Sequence, residues 1–198
     1  MSMLSMLDVI DRIRSRLKDD NYDNLRFSTN EIIDAINTTC TALILEFKLN
    51  KFKRNELISP KNPYIQCHYL LGVEEAFFNA KYLERRTSVP QQEGQDLALL
   101  IEGDKISVTP FKAGFLSVVY NYYDPVSGED EYLPMPDLSM NALVYGSLGL
   151  LLEIPTDEQN MQKIAMIKNL YKEAKNVLAL YLNNLYSNKN LYSKVVRV

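Results

Sequence analysis

Histidine and cysteine are scarce in this 198-residue chain, which holds one histidine, His68, and two cysteines, Cys40 and Cys67. There is no CxxC pair and no second histidine, so the familiar zinc-ligand patterns are excluded. Two cysteines do not make a disulfide scaffold, and synthesis in a reducing compartment is the simpler expectation. We therefore predict no metal, no cofactor and no catalytic residue.

Long apolar runs and an excess of one charge are also missing. The longest apolar run, residues 142–152, is shorter than the roughly 20 residues that span a bilayer. The opening segment carries Asp8 and Asp11 within its apolar part, which predicts an amphipathic helix and no signal peptide. The formal net charge is -3, so global charge calls for neither a nucleic acid nor a membrane as partner.

Enzymatic chemistry finds little support in the sequence. Hydrolysis or group transfer needs a base with an orienting partner or a metal cluster, and a single histidine without an acidic motif offers neither. A catalytic site built only from scattered Asp and Glu side chains stays an alternative. We predict that the chain is not an enzyme and that Cys40 is a small core residue on an apolar helix face.

Three segments before residue 87 have helical patterns. Apolar residues recur at spacings of three and four in the first, at Met3, Met6, Ile10, Ile13 and Leu17. Ser28 and Glu31 form a capping box that starts a second helix, with Phe27 and Ile32 as its hydrophobic staple. The pair Asn62 and Pro63 predicts the start of a third helix over residues 62–86, with Cys67 and His68 beside its core face.

Strand patterns are concentrated in residues 97–123, which predict a three-stranded antiparallel meander. After it, Pro134 and Pro136 hold the backbone extended and lead into a mostly apolar helix that ends near Glu153. Thr156 and Gln159 then predict a cap for the longest helix, residues 156–186.

The predicted fold class is α+β and mainly α. It is a helical bundle of four or five helices with a small antiparallel β lobe (residues 97–123) and an extended C-terminal tail. Residues 1–186 form one domain with the lobe inserted, and residues 187–198 form the tail.

The longest helix has two apolar stripes, which predicts two sets of neighbours. One stripe should pack on the first two helices, and part of the other should contact a neighbouring subunit through Leu170, Val177 and Tyr181. In the tail, Leu191, Tyr192, Val195 and Val196 are too few for a core of their own, so we predict that they dock on another protein.

The order of these segments resembles the head-to-tail connector, or adaptor, proteins of tailed bacteriophages. Four motifs carry the resemblance over most of residues 1–186: the opening helix MLDVIDRIRSRL, the helix start FSTNEIIDAIN, the run GFLSVVYNYYDP, and LPMPDLSMNALVYGSLGLLLE followed by a long helix. Residues 48–60 and the tail after Ser187 lie outside it.

The resemblance implies a structural virion protein that is made in the host cytoplasm and works at the neck between head and tail. Its subunits would form a closed ring, twelve-fold in most of the family, that lines or extends the DNA exit channel. The implied partners are other copies of the chain, the portal protein, and tail or further neck proteins. The portal is the expected docking partner of the tail residues 187–198. Genomic DNA would pass through the ring without sequence-specific binding, and no membrane is involved.

An alternative function rests on two basic stretches, one from Arg12 to Lys18 and the other from Lys48 to Arg54. Each could contact a phosphate backbone, which would suit a small DNA-binding or packaging component. A solvated helix face is the simpler interpretation of the first stretch. The second lacks the interleaved aromatic residues and glycines of a single-strand platform.

Overall fold

The computed structural model describes residues 3–19, 25–84, 97–153 and 161–186. Its helices are α1 (Met6–Leu17), α2 (Thr29–Phe47), a 3-10 helix (Asp137–Ser139), α3 (Met140–Glu153) and α4 (Met161–Tyr186). Its strands are β1 (Leu4–Ser5), β2 (Lys51–Ile58), β3 (Ile65–Gln66), β4 (Leu70–Phe78), β5 (Lys81–Tyr82), β6 (Ala98–Glu102), β7 (Lys105–Thr109), β8 (Gly114–Tyr122) and β9 (Tyr132–Leu133).

The chain divides into two compact units. The helical unit comprises residues 1–39 and 126–198, and the β unit comprises residues 40–125. Helix α2 begins in the helical unit and ends in the β unit.

The starts of α1 and α2 follow local sequence signals. Ser5 caps α1, since its hydroxyl accepts from the Asp8 N–H at 3.4 Å. The capping box before α2 is confirmed, because the Glu31 N–H donates to Ser28 Oγ at 3.3 Å and the Ser28 N–H donates to Glu31 Oε2 at 2.7 Å. Hydrogen bonds from the hydroxyl and backbone of Ser28 lower the pKa of the Glu31 carboxyl.

Helix α3 is the centre of the helical unit and packs against both α1 and α4. It is apolar around most of its circumference, and Leu143, Leu148 and Leu151 are buried. The chain enters it through the predicted proline bridge, in which the Met135 N–H donates to the Leu133 carbonyl at 2.8 Å. A short antiparallel ribbon of β1 and β9 precedes this bridge.

The β unit contains two antiparallel sheets and one apolar core. The four-stranded sheet has the order β2-β8-β4-β5, and the three-stranded sheet has the order β3-β7-β6. One face of β8, with Leu116, Val118 and Tyr120, is buried in a cluster with Ile106 and Val108 of β7. This face is therefore the inner face of the four-stranded sheet.

The predicted fold class is wrong. The described residues are 46% helical and 29% strand, with nine strands in three antiparallel sheets, so the protein is an α+β fold and not a bundle of four or five helices with a small lobe. The predicted third helix, residues 62–86, is the strands β3, β4 and β5. Its apolar spacing also suits a strand paired with β8, and a left-handed turn at Asn79 and Ala80 (φ 47° and 66°) interrupts any helix.

The meander predicted for residues 97–123 is also wrong as a unit. Strands β6 and β7 form the expected hairpin, with Gly103 (φ 60°) in its turn. Strand β8 is present too, but it pairs with β2 and β4 in the other sheet. These partners lie far away in sequence, so local signals identified the strand and missed its neighbours.

Candidate subunit interface

Helix α4 has one buried side and one exposed apolar side. Ile167, Leu178 and Leu182 are buried, and α4 packs mainly on α3 and the 3-10 helix. On the other side, Met166, Val177 and Leu180 are 56%, 53% and 64% exposed, and Glu173 is exposed between them. These four residues lie within about 60° of arc on the helix and are called the outer stripe of α4.

The predicted interface residues lie on or near this stripe. Val177 belongs to it, whereas Leu170 and Tyr181 are half-buried beside it. Met166 and Leu180 are more exposed than Leu170, Val177 and Tyr181, and the sequence analysis does not name them as interface residues. Their position in the second apolar stripe is the sequence signal that identifies them. The sequence predicts that one stripe of α4 packs on α1 and α2, but its main neighbours are α3 and the 3-10 helix.

A second exposed apolar surface lies on the four-stranded sheet, opposite its inner face. Leu57 and Phe115 are cross-strand partners that are 68% and 48% exposed. Phe77 pairs with Tyr82, which is 61% exposed, and their ring centroids are 5.7 Å apart. We call these four residues, together with half-buried Val119, the outer sheet face. The polar pair Ser117 and Asn55, in which the Ser117 hydroxyl donates to Asn55 Oδ1, lies among them on the same face.

Two charged residues flank the outer sheet face in one cross-strand row. Lys53 of β2 is opposite Val119, and Val119 is opposite Glu75 of β4. Both charged residues are exposed. The sequence analysis misses this face because it predicts a helix at Phe77 and predicts no strand at residues 55–58.

Cys40 and Cys67 are both buried and free. Burial raises the pKa of the Cys40 thiol to about 12. Burial also raises the pKa of the Cys67 thiol, against the opposing effect of the Arg54 charge.

The predicted helical setting of Cys67 and His68 is wrong, since both residues lie between β3 and β4. There the Cys67 N–H donates to the Asp104 carbonyl at 2.7 Å, and His68 is exposed.

Both cysteines should resist a thiol reagent in the native protein at pH 8. The reagent reacts with thiolates, and burial with a raised pKa keeps each thiol protonated and out of reach. Mass spectrometry should find no adduct before urea unfolds the chain and two adducts afterwards. A Lys61→Cys variant, changed at an exposed position, is the control and should be labelled at once. Fast native labelling of Cys40 or Cys67 would contradict their buried placement.

The basic stretches are partly engaged within the chain. Arg14 is buried in an ion pair with Asp19, so the interpretation of residues 12–18 as a solvated face fails at that position. In the second stretch, Lys48 pairs with Glu74 at 2.9 Å. Arg54 pairs with Glu56 at 3.1 Å and donates to the Gln66 carbonyl.

The tail residues Leu191, Tyr192, Val195 and Val196 lie outside the described residues, as do Thr156 and Gln159. Within the described ranges, no three His, Cys, Asp or Glu side chains are grouped as a metal site. No helix in the same ranges is both long and apolar enough to cross a bilayer.

No protein-family model matches the chain, and no curated protein matches it significantly.

Proposed function

We propose that this chain is a structural virion protein of a tailed bacteriophage, a head-to-tail adaptor that forms a ring between portal and tail. The ring would line or extend the channel through which DNA leaves the head. The observation that carries the proposal is the outer stripe of α4, an apolar surface that one copy of the chain leaves exposed. A heterologous contact between copies covers such a stripe and closes a ring.

The local structure of the resemblance motifs supports the same function. The motif that begins at Phe27 contains the capping box and starts α2. The Leu133 to Pro136 bridge leads into the apolar helix α3, and a long helix α4 comes next in the chain. The run from Gly114 is the strand β8. These three motifs therefore have the local structures that the resemblance implies.

The alternative of a small DNA-binding component has less support. Arg14, Lys48 and Arg54 make ion pairs within the chain, which reduces their availability for phosphates. Arg12 and Lys18 are exposed in the helical unit, and Lys51 and Lys53 are exposed in the β unit.

Portal binding is the direct test of the proposed function. The purified chain should co-sediment with rings of its phage's portal protein, and electron microscopy should show an added ring of density on the portal. Deleting residues 188–198 should leave the far-ultraviolet circular dichroism unchanged and weaken the co-sedimentation, because the tail is proposed to dock on the portal.

Two results would count against this proposal. Undiminished attachment of the shortened chain would remove the tail from the mechanism. Absence of any portal complex, together with DNA binding that weakens steeply as salt rises, would favour the DNA-binding alternative.

A further inference from the structure

Two exposed apolar surfaces have no partner among the residues that the structure describes. The outer stripe of α4 and the outer sheet face are both exposed, although each lies on an element whose opposite side is well packed. Monomeric proteins rarely leave contiguous apolar patches of more than a few hundred Å² without a partner. A contact that covers one surface with the other removes both from water at once.

The two surfaces are of comparable size. From Met166 to Leu180 the stripe extends over 14 residue steps, or about 21 Å at the rise of an α-helix. The outer sheet face covers four strands, or about 14 Å across, and extends about 13 Å along β8 from Phe115 to Val119. Its longest dimension, from Leu57 on β2 to Tyr82 on β5, is about 16 Å, so most of the length of the stripe can lie across it.

On one side of the sheet face the charge is complementary to the stripe as well. Glu173 is the one acidic residue among the four that define the stripe, and it lies between Met166 and Val177 along the helix. Beside it, Asn169 and Asn176 are polar and uncharged. On the sheet, exposed Lys53 and exposed Glu75 lie on opposite sides of Val119, and Lys51 follows Lys53 in the next row of β2. Glu173 is therefore complementary to the β2 side of the face and not to the β4 side. A helix laid across this face can bring Glu173 to Lys53, whereas two copies of the stripe facing each other would bring two Glu173 carboxylates together.

We propose that the outer stripe of α4 in one copy packs on the outer sheet face of the next copy, with Glu173 facing Lys53. The contact is heterologous, because each copy offers its helix to one neighbour and its sheet to the other. It rests on the proposed ring function and names the two surfaces that build the ring.

Mixing two disabled variants tests the contact. Val177→Asp with Leu180→Asp places charge on the stripe, and Leu57→Asp places charge on the sheet, all at exposed positions. Each variant alone should be monomeric under conditions in which the wild type assembles. A one-to-one mixture should form a dimer and nothing larger, because each variant keeps one intact surface. Light scattering after size-exclusion chromatography measures the masses.

Matched controls separate the contact from general effects of added charge. Lys172→Asp on α4 and Lys61→Asp in the β unit change exposed residues outside both surfaces and should assemble like the wild type. Lys53→Glu and Glu173→Lys should each weaken assembly, and the two changes together should restore it. If Leu57→Asp does not fold, a chain with Leu57→Cys should be joined by a short bismaleimide to a chain with Leu180→Cys.

Three results would overturn the contact. The first is a mixture of the two variants that stays monomeric, and the second is a Leu57→Asp variant that assembles like the wild type. The third is a wild-type chain that stays monomeric both alone and on portal rings. Assembly that survives Leu57→Asp while portal attachment is lost would assign the sheet to the portal. A dimer of the mixed variants with no portal binding by the wild type would support the contact and refute the adaptor function.

Discussion

Replacing Arg14 with methionine should lower the free energy of unfolding by about 3–5 kcal/mol, because the change leaves a buried carboxylate without its cation. The side chains of Arg14 and Asp19 are 7% and 5% exposed, and Arg14 Nη1 lies 3.2 Å from Asp19 Oδ2. The same nitrogen donates to the Phe27 carbonyl at 3.2 Å, and Nη2 donates to Thr29 Oγ1 at 3.0 Å. Methionine fills similar volume but supplies none of these donors.

These bonds connect α1 to the start of α2. Asp19 also accepts from the Arg26 N–H at 2.8 Å, so the ion pair holds the backbone just before the capping box. In the Arg14→Met variant, backbone N–H groups would be the remaining donors to a buried charge. The start of α2 should therefore loosen together with the global loss of stability.

Urea denaturation followed by circular dichroism measures the change. Arg12→Met is the matched control, since Arg12 is exposed on the same helix, and it should alter stability by no more than about 0.5 kcal/mol. Adding Asp19→Asn to Arg14→Met should recover part of the loss, because an amide costs less to bury than a carboxylate. Equal effects of Arg12→Met and Arg14→Met would show that the buried pair contributes nothing specific.

The sequence was sufficient wherever structure depends on near neighbours. The capping box at Ser28 appears as predicted, and the apolar stripe of α1 does so from Met6 to Leu17, since each is decided within a few residues. Met3 precedes the helix and is exposed, and the bridge at Pro134 leads to α3 through a bend and not through extended backbone. Val177 is exposed in the second apolar stripe of α4. This agrees with the sequence pattern, because two apolar stripes cover a wider arc than one packed side of a helix can bury.

The predictions that are wrong concern structure that depends on partners distant in sequence. The sequence predicts a helix where β4 lies, because the pairing of β4 with β8 involves residues more than 30 positions away, such as Ala76 with Val118. Arg14 was placed on a basic surface because Asp19 and the Phe27 carbonyl become its partners only when the chain turns between α1 and α2. The outer sheet face required both the register of β2 on β8 and the choice of inner face, and neither can be read from one strand.

Gly146→Ala should lower the free energy of unfolding by about 1–3 kcal/mol, because α3 has no room for a methyl group at this position. An added Cβ would lie 2.5 Å from Thr39 Cγ2 and 3.0 Å from a ring carbon of Tyr171. Thr39 has little freedom to move, since its hydroxyl donates to the Ala35 carbonyl at 2.8 Å and accepts from Ser147 Oγ at 3.3 Å. Relief of the clash must therefore displace α2 or α4 from α3.

Gly149→Ala in the same helix makes the steric origin testable. Nothing lies within 4 Å of the Cβ that this change would add, so alanine should stabilise the protein there by about 0.5–1 kcal/mol through its better helix propensity. The two substitutions are chemically identical, and urea denaturation should find effects of opposite sign. A stabilising Gly146→Ala would mean that the three helices do not approach one another at Gly146 as closely as described. In that case the packing of α4 on α3, and the outward direction of its outer stripe, would need to be reassigned.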